Sequence, residues 1–374
     1  NAKPEPAKGN TLTWQFKAQN VHDFVWAADP DYVLIKRQPA SGPLLYFVYK
    51  KKDEATKQRW EAMADTMAMA YPFIAETFGA YPYKNYTFIQ GGDGGMEYPM
   101  ATLIKNAGTG TALHEWMHSW FQGMFGSNES LYPWMDEGGA TYGESTVTGW
   151  LHKKEFPYED SYRSYVRLVK SGGEEPMSTH ADHYNTNFAY ALAAYAKGCL
   201  FYVQLSYIIG NDNMHKFLME YYREWKFKHP NPNDMIRVAE KVSGLSLEWY
   251  KEYWIYTTKT IDYALGNISQ DAQGNAALTL KRVGDMPMPI DVLVTYKDGK
   301  KEMYNIPINM TYGAKPSENP AVPYIVKNEW YWTSPEYTLA ISRPVSDIKE
   351  VEIDPSHRMA DVNRSNNKLT VPDN

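Results

Sequence analysis

His114-Glu115-Trp116-Met117-His118 is the segment of this chain whose residue types and spacing point most directly to chemistry. Residues four apart on a helix share one face, so both imidazoles of a helical His114–His118 segment can reach one cation. Glu115 follows His114 by one position, about 100° around the helix axis. Its carboxylate therefore sits beside such an ion instead of on it, where it can take a proton from ion-bound water. Catalytic zinc keeps three protein ligands and one open position for water or substrate. Glu137 is the candidate for the third ligand. Eighteen residues separate it from His118. They suffice for further helix to Gly126, a loop through Ser127-Asn128-Glu129 and a return helix opening at Pro133.

Two histidines and a carboxylate also describe the facial triad of non-haem iron enzymes, but that triad has no use for the interposed Glu115, so the expected cofactor is one Zn2+ ion. Glu144, seven residues after Glu137 on the same helix face, can orient a zinc-binding imidazole from behind or make a plain surface salt bridge. The stripe Trp116, Met117, Trp120, Phe121 and Met124 packs the zinc helix onto a core. His180 and His183, three apart in a loop, read as solvated side chains.

The elements that must position these residues are legible from periodicity. Short aromatic and β-branched runs between Thr11 and Tyr49, broken at Asp29-Pro30-Asp31 and Ser41-Gly42-Pro43, predict strands. Trp60, Met63, Met67, Tyr71, Ile74 and Phe78 recur at helical spacing until Gly79, with Pro72 expected to kink or split that helix. Tyr86 to Ile104 reads as strand, Gly-rich turn, strand. Thr109 to Thr257 is persistently helical, with helices predicted over Ala191 to Ile209 and Asn233 to Val242. From Ile268 the period becomes two, as in Ile290, Val292, Val294 and Tyr296, followed by the turn signal Lys297-Asp298-Gly299. The expected fold class is α+β: a small sheet and a mainly helical half, with a C-terminal antiparallel β domain. The ranges are 1–43 for the opening strands and a linker, 44–266 for the sheet and helical half and 267–374 for the β domain.

A chain of 374 residues with 43% hydrophobic and 22% charged content has enough material for two or three cores. The net charge of −6, with no basic block longer than Lys50-Lys51-Lys52, excludes nucleic acid as an expected partner. No run of eighteen apolar residues occurs and the first ten residues lack an apolar stretch, so neither a membrane span nor a signal peptide is expected. The single cysteine, Cys199, cannot form an internal disulfide. That leaves the compartment open, with an exported, periplasmic location favoured over the cytoplasm.

With Glu137 at this spacing, His114-Glu-x-x-His118 resembles the gluzincin signature of M1 aminopeptidases. Trp134-Met135-Asp136-Glu137-Gly138 and Ala140-Thr141-Tyr142-Gly143-Glu144 are similar to that family's second zinc helix. Gly94-Gly95-Met96-Glu97-Tyr98 resembles its Gly-x-Met-Glu-Asn exopeptidase motif, with Tyr98 in place of the Asn, and follows a similar Phe78-Gly79-Ala80-Tyr81-Pro82-Tyr83. Tyr195-Ala196-Lys197-Gly198 looks like the segment that carries the family's catalytic tyrosine. Val21-His22-Asp23-Phe24-Val25-Trp26 looks like the closing strand of its N-terminal saddle domain, which would make the chain a fragment. The likeness covers Thr11 to Thr257 and implies a thermolysin-like catalytic peptidase domain over 44–266, preceded in 1–43 by a remnant of the N-terminal β domain and a linker and followed in 267–374 by an antiparallel β-sandwich.

The resemblance implies a zinc aminopeptidase acting on peptides with a free N-terminus, with no obligate protein partner. Glu115 would be the general base, Tyr195 the oxyanion donor and Glu97 the partner of the substrate α-amine. Gly94, Gly95 and Met96 would admit the substrate backbone along an edge strand. A thermolysin-like endopeptidase and a catalytically silent scaffold are the alternatives. An endopeptidase has no use for an amine-binding Glu97.

Overall fold

The computed structural model describes residues 5–6 and 9–372, so most of the first ten residues, read above as lacking an apolar leader, lie outside the description. A short ladder, β1 (Glu5–Pro6) with β2 (Leu12–Thr13), opens the chain. Residues 14–31 then form no strand, contrary to the expectation of strands from Thr11 onward, and Val21–Trp26 is not a closing strand. Among the described residues nothing offers that segment a ladder. Its Phe24 and Trp26 are exposed, and it is tied down by a bond from the Tyr83 hydroxyl to the Asn20 carbonyl (2.6 Å).

The sheet that carries part of the site is built from β3 (Tyr32–Arg37), β4 (Leu44–Lys50), β5 (Asn85–Gln90), β6 (Gly95–Tyr98) and β7 (Ala101–Ile104), in the order β3-β4-β5-β7-β6. Its inner pairs β4–β5 and β5–β7 are parallel, while the outer strands β3 and β6 run antiparallel to their neighbours. Three strands thus occupy the stretch expected to hold two. The crossover from β4 to β5 is α1 (Glu54–Phe78), capped by Asp53, whose carboxylate accepts from the Thr56 amide (2.7 Å). Pro72 does not split α1, which runs unbroken to Gly79. Buried Met67, Ala70, Tyr71, Ile74 and Phe78 hold it on both sides of the proline, and core packing outweighs the lost N–H.

Next comes α2 (Thr109–Phe121), whose Ala112, Leu113, Trp116, Met117, Trp120 and Phe121 are all buried. It stops at Phe121, short of Gly126, and the chain winds on through isolated turns to Gly126 at φ +65°. A π-helical turn, Trp134–Gly138, leads into α3 (Gly139–His152), followed by α4 (Glu159–Ser171). A continuous helical rod then comprises α5 (Asn187–Ala191), a second π turn (Leu192–Lys197) and α6 (Gly198–Ile209). By length and composition Asn187–Ile209 could cross a bilayer, yet 89% of its most apolar window is buried inside the protein, as suits a core helix. The helical part closes with α7 (Asn211–Trp225), α8 (Pro232–Ser243) and α9 (Glu248–Tyr256). A capping box between Asn231 and Asp234 starts α8.

The remaining strands form two sheets: β8 (Tyr263–Gln270), β9 (Ala276–Arg282) and β13 (Glu336–Ile341) in one, and β10 (Ile290–Tyr296), β11 (Lys301–Ile306), β12 (Tyr324–Val326), β14 (Ile348–Ile353) and β15 (Lys368–Thr370) in the other. Pairing is antiparallel except between β11 and β12. Ile290, Val292, Val294 and Tyr296 all face inward, and Gly299, at φ +84°, turns the β10–β11 hairpin. The helical and β parts share one core: the Gln204 side chain of α6 accepts from the Ala360 amide (2.9 Å) and donates to the Arg358 carbonyl (2.7 Å).

Candidate metal centre and active site

His114 and His118 project from one face of α2 with their Nε2 atoms 3.2 Å apart. Glu137, from the π turn that precedes α3, brings Oε2 to 3.2 Å from His114 Nε2 and 3.4 Å from His118 Nε2. Zn–N and Zn–O bonds of about 2.0–2.2 Å in tetrahedral geometry put neighbouring ligand atoms roughly 3.3 Å apart, so the three donors are spaced for one ion. The structure thus brings together the trio that the sequence singled out. His180 and His183 stay apart from it, His180 accepting from the Asp182 amide.

Glu97, His118 and Asp136 form a second close group of possible ligands. There, however, His118 Nδ1 and Asp136 Oδ1 are only 2.6 Å apart, a charge-assisted hydrogen bond and too close to bracket an ion. Asp136 therefore holds His118 from behind and fixes Nε2 as the nitrogen facing the trio. This residue had no assigned role in the sequence reading, though it lies one position before Glu137. Burial alone would lower the pKa of His118, but the charges and hydrogen bonds of Asp136 and Glu137 hold it well above the usual imidazole value. For Glu137, burial pushes upward, and bonds from His114, His118 and Tyr195 overcome it, bringing the carboxyl to about 2.

Glu115 is buried beside the trio, and its Oε2 has no hydrogen-bond partner among the described residues. Burial, only partly opposed by the two histidines, pushes its pKa up to about 7. Its Oε1 lies against β6, where a Cβ on Gly95 would stand 2.0 Å from it. The missing side chain at Gly95 is thus what admits the Glu115 carboxylate, a role spacing alone did not suggest. Gly94 faces open space and Met96 is exposed.

Glu97 lies on the same edge strand, its register partner being Thr102 of β7. Its pKa is raised, mainly by burial, and it lines a cavity of about 170 Å³ with His22, Met96, Tyr98, His118 and Glu129. On the other side of the trio a more open cavity of about 460 Å³ is lined by Thr111, His114, Glu144 and Tyr195. The Tyr195 hydroxyl donates to Glu137 Oε1 at 2.6 Å, and its ring stacks on His114 with centroids 5.7 Å apart. Burial and the charge of Glu137 raise the pKa of that phenol strongly, so it is a donor. The Glu144 carboxyl is raised by burial and feels the charge of His114. No hydrogen bond joins Glu144 to that imidazole among the described residues. A further cavity, of about 310 Å³ between α1, α6, α7 and Arg358, contains none of these side chains.

Residues 60–254 match the family model of the peptidase family M1 domain. Aminopeptidase N of Streptomyces lividans is 23% identical over 241 residues, which cover 57% of this chain and 28% of that protein. An M1 zinc metallopeptidase from Deinococcus radiodurans superposes with a TM-score of 0.49 at 17% identity, covering 60% of this chain and 51% of the other. Legionella pneumophila aminopeptidase A, solved in complex with aspartic acid, superposes with a TM-score of 0.63 at 12% identity, covering 88% of this chain and 38% of the other. That likeness is one of fold. The chain spans only 28% of the length of the Streptomyces relative.

Proposed function

The chain belongs to peptidase family M1, and from that premise we propose that it is a zinc aminopeptidase, binding one zinc ion through His114, His118 and Glu137 and removing N-terminal residues from peptides. The observation that carries this reading is the position of Glu97: a half-buried carboxylate on an edge strand, in a cavity that reaches His118 of the metal-ligand trio. Zinc, when bound, polarises a scissile carbonyl and acidifies its water. Glu115 takes a proton from the attacking water and later returns it to the leaving amine, a task suited to a carboxylate with an unoccupied lone pair. Tyr195, whose hydroxyl now rests on Glu137, turns that donor to the developing oxyanion. The free side of β6 receives the substrate backbone past Gly94, Gly95 and Met96.

Glu97 pairs with the substrate ammonium, which offsets the burial that raises its pKa. Since only an N-terminal residue carries that charge, the pairing makes the enzyme exo-acting. Glu144 supports His114 through charge alone. The test is cleavage of one peptide with and without an N-terminal acetyl group. The free peptide is expected to be cleaved about 100-fold faster, with most of that preference lost in Glu97→Ala, in line with a charge-assisted bond of roughly 2–3 kcal/mol. Equal cleavage of both peptides would make the protein an endopeptidase, and cleavage of neither, with zinc bound, a silent scaffold.

A further inference from the structure

Two π turns occur among the described helices, and they carry the third metal-ligand candidate and the tyrosine. A π turn within a helix is rare and is found mostly at functional positions. The two lie against each other through glycine. A Cβ on Gly138 would stand 2.6 Å from both the Cα and the carbonyl carbon of Gly198, and one on Gly198 would stand 2.9 Å from Gly138 Cα and 3.2 Å from Trp134. Those closest contacts are backbone, which cannot swing aside as a side chain can. Glu137 is the residue before Gly138, and Tyr195 lies in the turn that Gly198 closes. The 2.6 Å bond between them is therefore set by how closely the two backbones cross.

The second turn is anchored from behind. Lys197, its last residue, is wholly buried, its ammonium bonded to Glu174 (2.7 Å) and to the Thr257 carbonyl (3.1 Å). Trp254 donates its indole N–H to the Lys197 carbonyl (3.3 Å). Neither Lys197, Glu174 nor Trp254 lines either cavity beside the trio.

We propose that the Gly138–Gly198 crossing, backed by the buried Lys197–Glu174 pair, is the device that holds the Tyr195 hydroxyl on Glu137, so that Gly138, Gly198 and Lys197 are positioning residues for both the metal ligand and the oxyanion donor. This rests on the zinc aminopeptidase reading for its consequence in turnover, but not for its consequence in metal retention. Separating the turns weakens the second bond of the Glu137 carboxylate and misplaces Tyr195 together. Substrate capture by Glu97, on a different strand, is left alone.

The experiment is a double-mutant cycle of Gly198→Ala with Tyr195→Phe on the zinc-loaded full chain, reading kcat, KM and the rate of zinc loss to a chelator. Gly198→Ala is expected to lower kcat by about 10–100-fold with KM changed less than about threefold, and to speed zinc loss by about 10-fold. In the Tyr195→Phe background it should change neither quantity by more than about twofold, since the two act through one bond. Trp254→Phe, which removes the donor to Lys197 without adding bulk at the crossing, should show the same pattern at about 2–5-fold, and it decides the matter if Gly198→Ala does not fold. Additive effects in either cycle, or wild-type kcat and zinc loss in the single variants, would overturn the proposal. A wild-type protein that cleaves no unblocked peptide would remove the functional reading, while the zinc-loss cycle would still decide the coupling.

Discussion

One cluster of buried charge lies between the β10–β11 hairpin and the loop after it, another at the candidate metal centre, and the two are finished differently. In the first, Asp291 accepts from Asn305 (2.8 Å) and Tyr324 (3.2 Å) on one oxygen and from the Lys315 ammonium on the other. Lys315 also reaches Glu318 (3.2 Å) and lies over the Tyr207 ring. In the second, Glu115 is as deeply buried, yet one of its oxygens has no partner and its pKa climbs to about 7. A buried charge that only holds a fold is surrounded by bonds, because an unmet one destabilises. The one left open is the one proposed above to exchange a proton with water, a role for which an unmet carboxylate is kept at a cost in stability.

The largest effect expected from this contrast is on turnover. Glu115→Gln keeps the shape and the ion ligands but cannot accept a proton, so zinc content should stay equimolar while kcat falls by about 10²–10⁴-fold. Undiminished kcat in a zinc-replete Glu115→Gln protein would remove Glu115 from the chemistry. In the Asp291 cluster, where both carboxylate oxygens are bonded, the same kind of change should act on stability alone. Lys315→Met strands Asp291 without its cation and should lower unfolding free energy by about 3–5 kcal/mol in urea, leaving kcat of the folded enzyme unchanged. Asp291→Asn together with Lys315→Met should regain most of that loss, and a Lys315→Met single variant as stable as wild type would break the comparison.

The open carboxylate predicts a pH signature in the zinc-free protein. Its folded pKa of about 7 lies above the ordinary value of 4.5. Glu115 therefore favours the folded state fully only below about pH 4.5, and that contribution is lost as pH rises through about 7. The neutral amide introduced by Glu115→Gln escapes that loss. The metal-free variant should be more stable than metal-free wild type at pH 8, by about 2–3 kcal/mol, and equal to it near pH 4.5. A gap that is the same at both pH values would show that Glu115 is not strained by ionisation.

How much of this was legible before the structure follows from which forces are local. The two imidazoles and Glu115 could be placed because a regular helix fixes residues by spacing alone. The inward set Ile290, Val292, Val294 and Tyr296 could be read because strand alternation is equally local. Glu137 was found as a partner for the histidines, but not as part of a π turn. That turn depends on Gly138 meeting Gly198, sixty residues onward in the chain. Gly95 was read for its backbone, whereas its contact is with a side chain on another element. The aromatic stretch from Trp14 to Trp26 has the composition of strands and forms none among the described residues, because β pairing needs a neighbour that composition cannot supply. At Pro72 packing on both sides kept α1 from splitting, one of the two outcomes that the local rule allowed.

The smallest effect belongs to a residue that spacing did not single out. Asp136 is 4% exposed and meets His118 Nδ1 at 2.6 Å, so it both fixes the ring and places a negative charge behind a proposed metal ligand. Asparagine can keep the hydrogen bond while removing the charge. If Asp136 only orients the imidazole, Asp136→Asn should hold zinc as tightly as wild type, and only Asp136→Ala should weaken it. If its charge also makes His118 a stronger donor, Asp136→Asn should raise the zinc dissociation constant by about 10-fold and Asp136→Ala by up to about 100-fold, measured by competition with a chelator. The balance of charges around His118 favours the second outcome. Asp136 and Glu137 together overcome the burial of His118 and hold its pKa up, which orientation alone would not do. A dissociation constant unmoved by Asp136→Asn would reduce Asp136 to a hinge for the ring.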